Sequence, residues 1–294
     1  MDIINEQLKA SLLRMVPEAG KHATAIEGLT LTRWNDTHLT DTCFYAPSIG
    51  VIVQGRKESL IGSEKLVYGE YDCLVNGVDM PSISHITTVS PETPLLAVSL
   101  AINSSLVTEL AAEAPASLIF PDTHCLGVSL AKVTPDVLET FSRLVDLLDK
   151  PGQIPLMAPL FIREILFRTL VGPQGGALRM IYTRGSHSNQ VAQAITWLQK
   201  NYREPLHIDA LADSVDMATS SFHRQFKKVT SLSPLQYQKR LRLYEAQRLM
   251  LSGNIYANDA GRAVGYENIQ QFNREYKRMF GEPPHKHVNT LRLG

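Results

Sequence analysis

Two six-residue stretches repeat one chemical pattern, Phe222-His223-Arg224-Gln225-Phe226-Lys227 and Phe272-Asn273-Arg274-Glu275-Tyr276-Lys277. Aromatic residues four apart share one face of a helix, so Phe222 with Phe226, and Phe272 with Tyr276, are expected to face a core. That phase turns Ser220, Ser221, His223, Arg224, Lys227 and Lys228 outward in the first stretch. In the second it turns out Ile269, Gln270, Asn273, Arg274, Lys277 and Arg278. Hydroxyl, imidazole, amide and guanidinium groups hydrogen-bond base edges, and cations meet phosphates. A single basic helix face is ordinarily only a solvated surface. The same aromatic-in, arginine-out phase occurring twice points instead to reading of a nucleic acid.

The whole chain of 294 residues balances 29 Lys+Arg against 29 Asp+Glu, which taken alone argues against such a partner. The sum conceals two opposite halves. From His187 to Gly294 there are 15 Lys+Arg and 9 Asp+Glu, while residues 1–186 hold 14 and 20. The duplicated motif therefore lies in a half with a surplus of six positive charges, and the front half carries the matching acidic excess. Between them, Gly172-Pro173-Gln174-Gly175-Gly176 and then Thr183-Arg184-Gly185-Ser186-His187-Ser188 are turn-forming, and read as a connector with little to bury. The expected domains are 1–182 and 188–294.

The elements that must hold these groups differ between the halves. Ile49–Val53, Lys65–Tyr68, Cys73–Val75, Leu95–Ile102 and Cys125–Val133 are short β-branched and apolar runs, punctuated by Gly and Pro. They predict a small barrel or sandwich. Asp136–Asp149 and Leu156–Leu170 then change to helical spacing, as helices that cover the barrel or pair two subunits. The back half reads as helices throughout, near 188–201, 208–215, 219–229, 234–251, 256–264 and 268–279. The fold class is thus α+β, with a β barrel and flanking helices followed by an all-α domain. In that domain a short helix, a turn and a longer helix occur twice, joined by the long 234–251 helix.

Other chemistry is sparse. A metal-dependent barrel enzyme needs clustered ligands. Here His85 stands alone in its segment, and His22, His38 and His124 fall outside ligand spacing. His285-x-His287 reads as lying near phosphate rather than as a metal pair. Three cysteines, Cys43, Cys73 and Cys125, are odd in number and far apart, which disfavours a disulfide framework. If its strand alternates, Cys73 points into the barrel, where an electrophile or oxidant would modify it; otherwise it is a small buried hydrophobe. No run approaches the roughly 18 apolar residues of a membrane helix, and the start lacks a secretory pattern. A cytoplasmic protein with no membrane partner, no cofactor, no metal and no catalytic residues is expected.

In the back half, Asn201-Tyr202-Arg203-Glu204-Pro205-Leu206, Ser233-Pro234-Leu235-Gln236-Tyr237, Arg240-Leu241-Arg242-Leu243 and Val264-Gly265-Tyr266-Glu267 accompany the repeated motif, and Phe272 to Pro284 closes it. In these motifs, over about 100 residues from Val191 to Leu291, the chain resembles the AraC/XylS transcription regulators. The resemblance implies two helix-turn-helix units whose second helices enter successive major-groove segments of double-stranded promoter DNA, about one turn apart. Matching base-contact positions are Ser220, His223, Arg224, Ile269, Gln270, Asn273 and Arg274. Arg224 and Arg274 would either fork onto a guanine, worth roughly 1–3 kcal/mol of discrimination, or contact phosphate. Ile269 can offer only apolar contact, as to a thymine methyl. Lys227, Lys228, Lys277 and Arg278 suit phosphates. Two departures stand out. Ala218 replaces the usual serine cap, which has to be supplied by Thr219 or Ser220 or else be lost at about 1 kcal/mol. Gly261 replaces alanine in the second leading helix, lowering helix propensity by up to ~1 kcal/mol, so the second unit is expected to be the softer reader.

The front half resembles the cupin-like N-terminal barrel of a subgroup of these regulators in Tyr45-Ala46-Pro47-Ser48, Val53-Gln54-Gly55-Arg56-Lys57, Tyr68-Gly69-Glu70-Tyr71 and Val78-Asp79-Met80-Pro81. This implies an effector-sensing and dimerising domain. Candidate effector contacts are Trp34, Tyr45, Tyr68, Tyr71 and Cys73. A homodimer acting on RNA polymerase under a small-molecule effector is the expected assembly. A ligand-binding or enzymatic cupin, and an architectural DNA binder, are the alternatives.

Overall fold

The β-branched runs of the first half form ten strands among the described residues, which are 1–36, 40–61, 64–114, 127–253 and 255–293. They are β1 (Gly20–Ala23), β2 (Leu29–Trp34), β3 (Thr40–Tyr45), β4 (Ser48–Gln54), β5 (Arg56–Ile61), β6 (Glu64–Gly69), β7 (Asp72–Asn76), β8 (Met80–Thr88), β9 (Leu95–Ala101) and β10 (Val128–Lys132). The structure, a computed structural model, arranges them in two antiparallel sheets, of order β1-β2-β9-β4-β7-β10 and β3-β8-β5-β6. The sheets face each other across Ile52, Leu95, Tyr68 and Ile86. That is the expected cupin-like barrel with flanking helices.

Among the described residues, five α-helices accompany the barrel: α1 (Asp2–Met15), α2 (Ser104–Glu113), α3 (Pro135–Asp146), α4 (Ile154–Val171) and α5 (Gly176–Tyr182). Strand alternation gives the six-stranded sheet two faces. Leu31, Val98, Val51 and Cys73 form one cross-strand row and are at most 2% exposed. They lie on the side where α1 and α3 pack, with Leu8, Leu12, Phe141 and Leu144 fully buried. Pro135 at the first turn of α3 and Thr134, whose Oγ1 accepts from Val137 N–H, set where that helix begins.

Two segments depart from expectation. Helix α2 follows β9, started by Asn103, whose side chain accepts from Leu106 N–H at 3.1 Å. The stretch 172–182 is no solvated connector, because Gln174 is 1% exposed, donates to Lys132 O at 2.7 Å and accepts from Ser129 Oγ at 2.7 Å. Tyr182 OH donates to Gly77 O at 3.2 Å. These long-range bonds tie a Gly-rich stretch into the core, which local composition cannot reveal. Pro173, Thr183–Gly185 and His187 remain exposed. The compact units are Met1–Asn189 and Gln190–Gly294.

The second unit is helical: α6 (His187–Asn201), α7 (Ile208–Asp213), α8 (Thr219–Thr230), α9 (Pro234–Gly253), α10 (Ala257–Ala263), α11 (Ile269–Phe280) and α12 (Pro284–Leu293). The last was not anticipated from hydropathy. Ser233 and Gln236 form a reciprocal capping box at the start of α9. Tyr237, Leu243, Ala246 and Met250 bury its inner face.

Candidate nucleic-acid interface

Helices α8 and α11 are built to the same burial plan. Residues 219–228 and 269–278 run through the same order of exposed, part-buried and buried positions. Phe222, Phe226, Phe272 and Tyr276 are fully buried, with ring centroids 5.5 Å apart in the first pair and 5.6 Å in the second. Ser220, His223, Arg224, Lys227 and Lys228 are all exposed on α8. So are Gln270, Asn273, Arg274, Lys277 and Arg278 on α11, while Ile269 is part-buried. Among the described residues, the six cations of this set carry no ion pair or side-chain hydrogen bond, although most other arginines and lysines of the unit are engaged. A cation left unpaired on a helix face keeps its full field for a phosphate or a base edge.

The turns that aim these helices also match. Met217 N–H donates to Ala212 O, and Tyr266 N–H to Gly261 O, each at 3.0 Å. Each turn passes through a left-handed residue, Asp216 (φ 56°) and Gly265 (φ 92°). Glycine is needed at the second, because a Cβ there would lie 2.3 Å from Arg203 O.

The starts of the two helices differ. Ala218 gives α8 no side-chain cap, and Thr219 Oγ1 is turned to Asp209 Oδ1 at 2.8 Å instead. Asn268 caps α11 by accepting from Gln271 N–H at 3.0 Å. Gly261 is buried, and a Cβ on it would meet Phe272 at 3.0 Å, so close packing rather than softness explains it. The side-chain cap of the first unit is thus lost at Ala218, one of the two outcomes the sequence allowed.

Two positioning residues, Glu275 and Arg242, had no role assigned from sequence. Glu275 sits within the motif, yet its carboxylate turns inward, accepting from Lys239 Nζ and Tyr266 OH at 2.7 Å and from Gln271 Nε2 at 3.1 Å. Burial pushes its carboxyl up, but these donors outweigh it and hold it below the usual carboxylate range. Arg242 of α9 donates to the carbonyls of Tyr202, Arg203, Glu204 and Gly265 at 2.6–3.0 Å. The long helix therefore grips both the loop before α7 and the turn before α11. An inward charge in a basic helix has no local signature in sequence. His287 is also built inward, with Nδ1 3.2 Å from Tyr276 OH and its ring stacked on Phe280, whereas His285 is exposed; only the latter fits the phosphate-proximal expectation.

In the barrel, Trp34 and Tyr68 belong to the inter-sheet cluster, and Tyr45 OH meets Ser84 Oγ at 2.6 Å on the same inner face. Tyr71 and Cys73 are placed elsewhere. Tyr71 takes a left-handed turn (φ 65°) and donates to Asp2 of α1 at 2.9 Å. Cys73 is fully buried on the helix-facing side, and burial, with Asp72 adding, pushes its thiol up to about 12, the reverse of a reactive thiolate. Cys125, His38 and His124 lie outside the described residues. Among the described residues, no three His, Cys, Asp or Glu are grouped to hold a metal.

A two-unit architecture of this kind defines a double helix-turn-helix DNA-binding class carrying a β-barrel domain. Residues 25–177 match the sequence profile described as "AraC-type transcriptional regulator N-terminus", and residues 211–289 match "Helix-turn-helix domain". The chain belongs to the AraC-type transcriptional regulators. It is similar to the HTH-type transcriptional activator RhaS of Pectobacterium carotovorum, 31% identical over 100 residues, covering 34% of this chain and 36% of that one. RhaS of Salmonella schwarzengrund is 26% identical over 155 residues, covering 52% and 55%. The chain thus spans about a third to just over half the length of these relatives. Among solved structures, an apo ToxT variant of Vibrio cholerae strain SCE256 has a TM-score of 0.59 at 10% identity, covering 90% of this chain and 98% of that chain. ToxT of Vibrio cholerae O395 has 0.54 at 8%, covering 88% and 96%. At such identity these two establish likeness of fold alone.

Proposed function

We propose that the protein is a sequence-specific DNA-binding regulator of transcription. The observation that carries this reading is the shared burial phase of α8 and α11, which gives two exposed faces bearing six cations that are unpaired among the described residues. Ser220, His223, Arg224, Gln270, Asn273 and Arg274 read base edges, with Ile269 as an apolar contact. Lys227, Lys228, Lys277 and Arg278 hold phosphates. Residues 188–294 form the DNA-binding domain and residues 1–182 the effector-sensing and dimerising domain. The apolar side chains of Leu156 and Leu160 on α4, 77% and 59% exposed, support a homodimer through that helix. Effector occupancy of the barrel shifts the dimer between states that differ in promoter affinity or in contact with RNA polymerase. No catalytic step, metal or cofactor is part of this reading. No helix of the described residues is long and apolar enough to cross a membrane; the reading places the protein in the cytoplasm, with its DNA.

The test is affinity for the DNA upstream of its own gene against random DNA, each across a salt series. A ratio of roughly 10³ or more at physiological salt supports the regulator. Equal affinity on both would overturn it in favour of an architectural binder.

A further inference from the structure

The face of the four-stranded sheet that looks into the barrel is polar where a core is ordinarily apolar. Lys57 lies on that face. It pairs with Tyr68 on β6 and Ile86 on β8, and both of those side chains pack across the gap against the other sheet. Ser59 and Ser84 pair with each other further along the same face, followed by Ser82 opposite Ile61. These three serines are at most 1% exposed. Their hydroxyls join those of two tyrosines in one network: Ser59 to Tyr68 at 2.8 Å, Ser59 to Ser84 at 2.7 Å, and Ser84 to Tyr45 at 2.6 Å.

Lys57 stands apart from that network. It is only 9% exposed, yet among the described residues it has no hydrogen bond and no ion pair. Among those residues it lies over the Tyr45 ring, whose centroid is 5.3 Å from Nζ. A buried ammonium is costly unless an anion compensates it, and an aromatic face offsets only part of that cost. A sheet that merely filled a core would place an apolar residue here. On the opposite wall Thr30, Gly50, Leu74, Ala97 and Leu130, turned into the barrel, keep part of their surface accessible, whereas Leu31, Val51, Cys73 and Val98 on the helix-facing side are buried.

The geometry points to Lys57 as the anion anchor of an effector pocket whose ligand is a small organic carboxylate. The carboxylate meets Lys57 Nζ beside the Tyr45 and Tyr68 hydroxyls, and the apolar body of the ligand lies toward Trp34, Leu74 and Leu130. One cation flanked by neutral hydroxyl donors matches a single negative charge better than the double charge of a phosphate. The inference rests on the reading of the barrel as an effector-sensing domain, and names the class of effector.

The probes are butanoate, hexanoate, octanoate and phenylacetate, each against its neutral primary amide, titrated by calorimetry and thermal shift on the full chain. At least one carboxylate is expected to bind tenfold or more tightly than its amide. Lys57→Met is expected to abolish that preference while the unliganded variant melts no lower than the parent, since an uncompensated buried charge is gone. Lys57→Arg should keep part of the preference. The proposal is overturned if no carboxylate binds, if acids and amides bind alike, or if Lys57→Met retains the preference. A carboxylate that binds through Lys57 but alters neither promoter affinity nor transcription leaves this site standing and removes the effector-sensing reading. A neutral compound that binds the barrel and alters promoter output does the reverse.

Discussion

Lys239 Nζ of α9 lies 2.7 Å from Glu275 Oε1 of α11, an ion pair that ties the long central helix to the second reading helix. Glu275 is the less exposed partner, at 13% against 35% for Lys239. Its outward neighbour Arg274 is exposed and unpaired among the described residues. The pair anchors α11 to α9 one residue from Arg274. Lys239→Met is expected to lower stability by about 1 kcal/mol, a partly exposed pair being worth little in energy. It should lower promoter affinity severalfold by loosening the helix. Parallel melting and DNA titration check this, and full promoter affinity in a destabilised variant would remove the positioning role.

Arg224→Ala and Arg274→Ala should weaken binding with a penalty that depends on sequence, about 1–3 kcal/mol at the base each one reads. Lys227→Ala should weaken all sequences alike and reduce the salt slope by about one. Titrating operator variants at several salt concentrations separates the two behaviours. Equal loss on every sequence from an arginine change assigns that arginine to phosphate.

Helix α8 starts at Ala218 without a side-chain cap, whereas α11 has Asn268. Ala218→Asp or Ala218→Ser should therefore stabilise the C-terminal unit by about 0.5–2 kcal/mol. The same exchange in reverse, Asn268→Ala, should cost a similar amount. Urea denaturation of both variants gives the comparison.

Burial outweighs the attraction of Glu282 and holds the His287 imidazole below its ordinary value of 6.5. The unfolded chain thus takes up a proton before the folded one does. Stability from a neutral His287 is fully present above about pH 6.5 and is lost as pH falls through the lower folded value. The melting temperature of the C-terminal unit should drop between pH 7.5 and 5.5, and His287→Gln should flatten that slope. An unchanged slope in the variant would place the titration elsewhere.

Cys73 faces the helix layer, with its thiol pushed up to about 12. Cys73→Ser should leave the response to effector unchanged but lower stability by about 1–3 kcal/mol, because it buries a hydroxyl in an apolar row. A lost response to oxidants or aldehydes in a variant of unchanged stability would reinstate the thiol as a sensor.

Local rules were enough for much of this molecule. Aromatic spacing in Phe222/Phe226 and Phe272/Tyr276 defined the inner faces of two helices, because a helix repeats every 3.6 residues whatever packs around it. Every residue that spacing turned outward on α8 is part-exposed or exposed. β-Branched runs bounded by Gly and Pro marked the strands for the same reason, since backbone preference acts over a few residues.

What spacing could not supply were the relations between distant segments. Gln174 looked like part of a solvated turn until its bonds to Lys132 and Ser129 placed it in the core. Tyr71 and Cys73 sit in barrel-forming sequence, yet strand register put Cys73 on the helix-covered side, and a left-handed turn sent Tyr71 to α1. Lys57 belonged to a recognisable motif, but its burial beside the Tyr45 ring came from the pairing of β5 with β6 and β8. The composition and periodicity of this chain are sufficient for its two domains and the outward faces of α8 and α11. Which charges turn inward, and which barrel face meets a ligand, depends on partners tens of residues away, where burial makes an unpaired charge costly and a paired one stabilising.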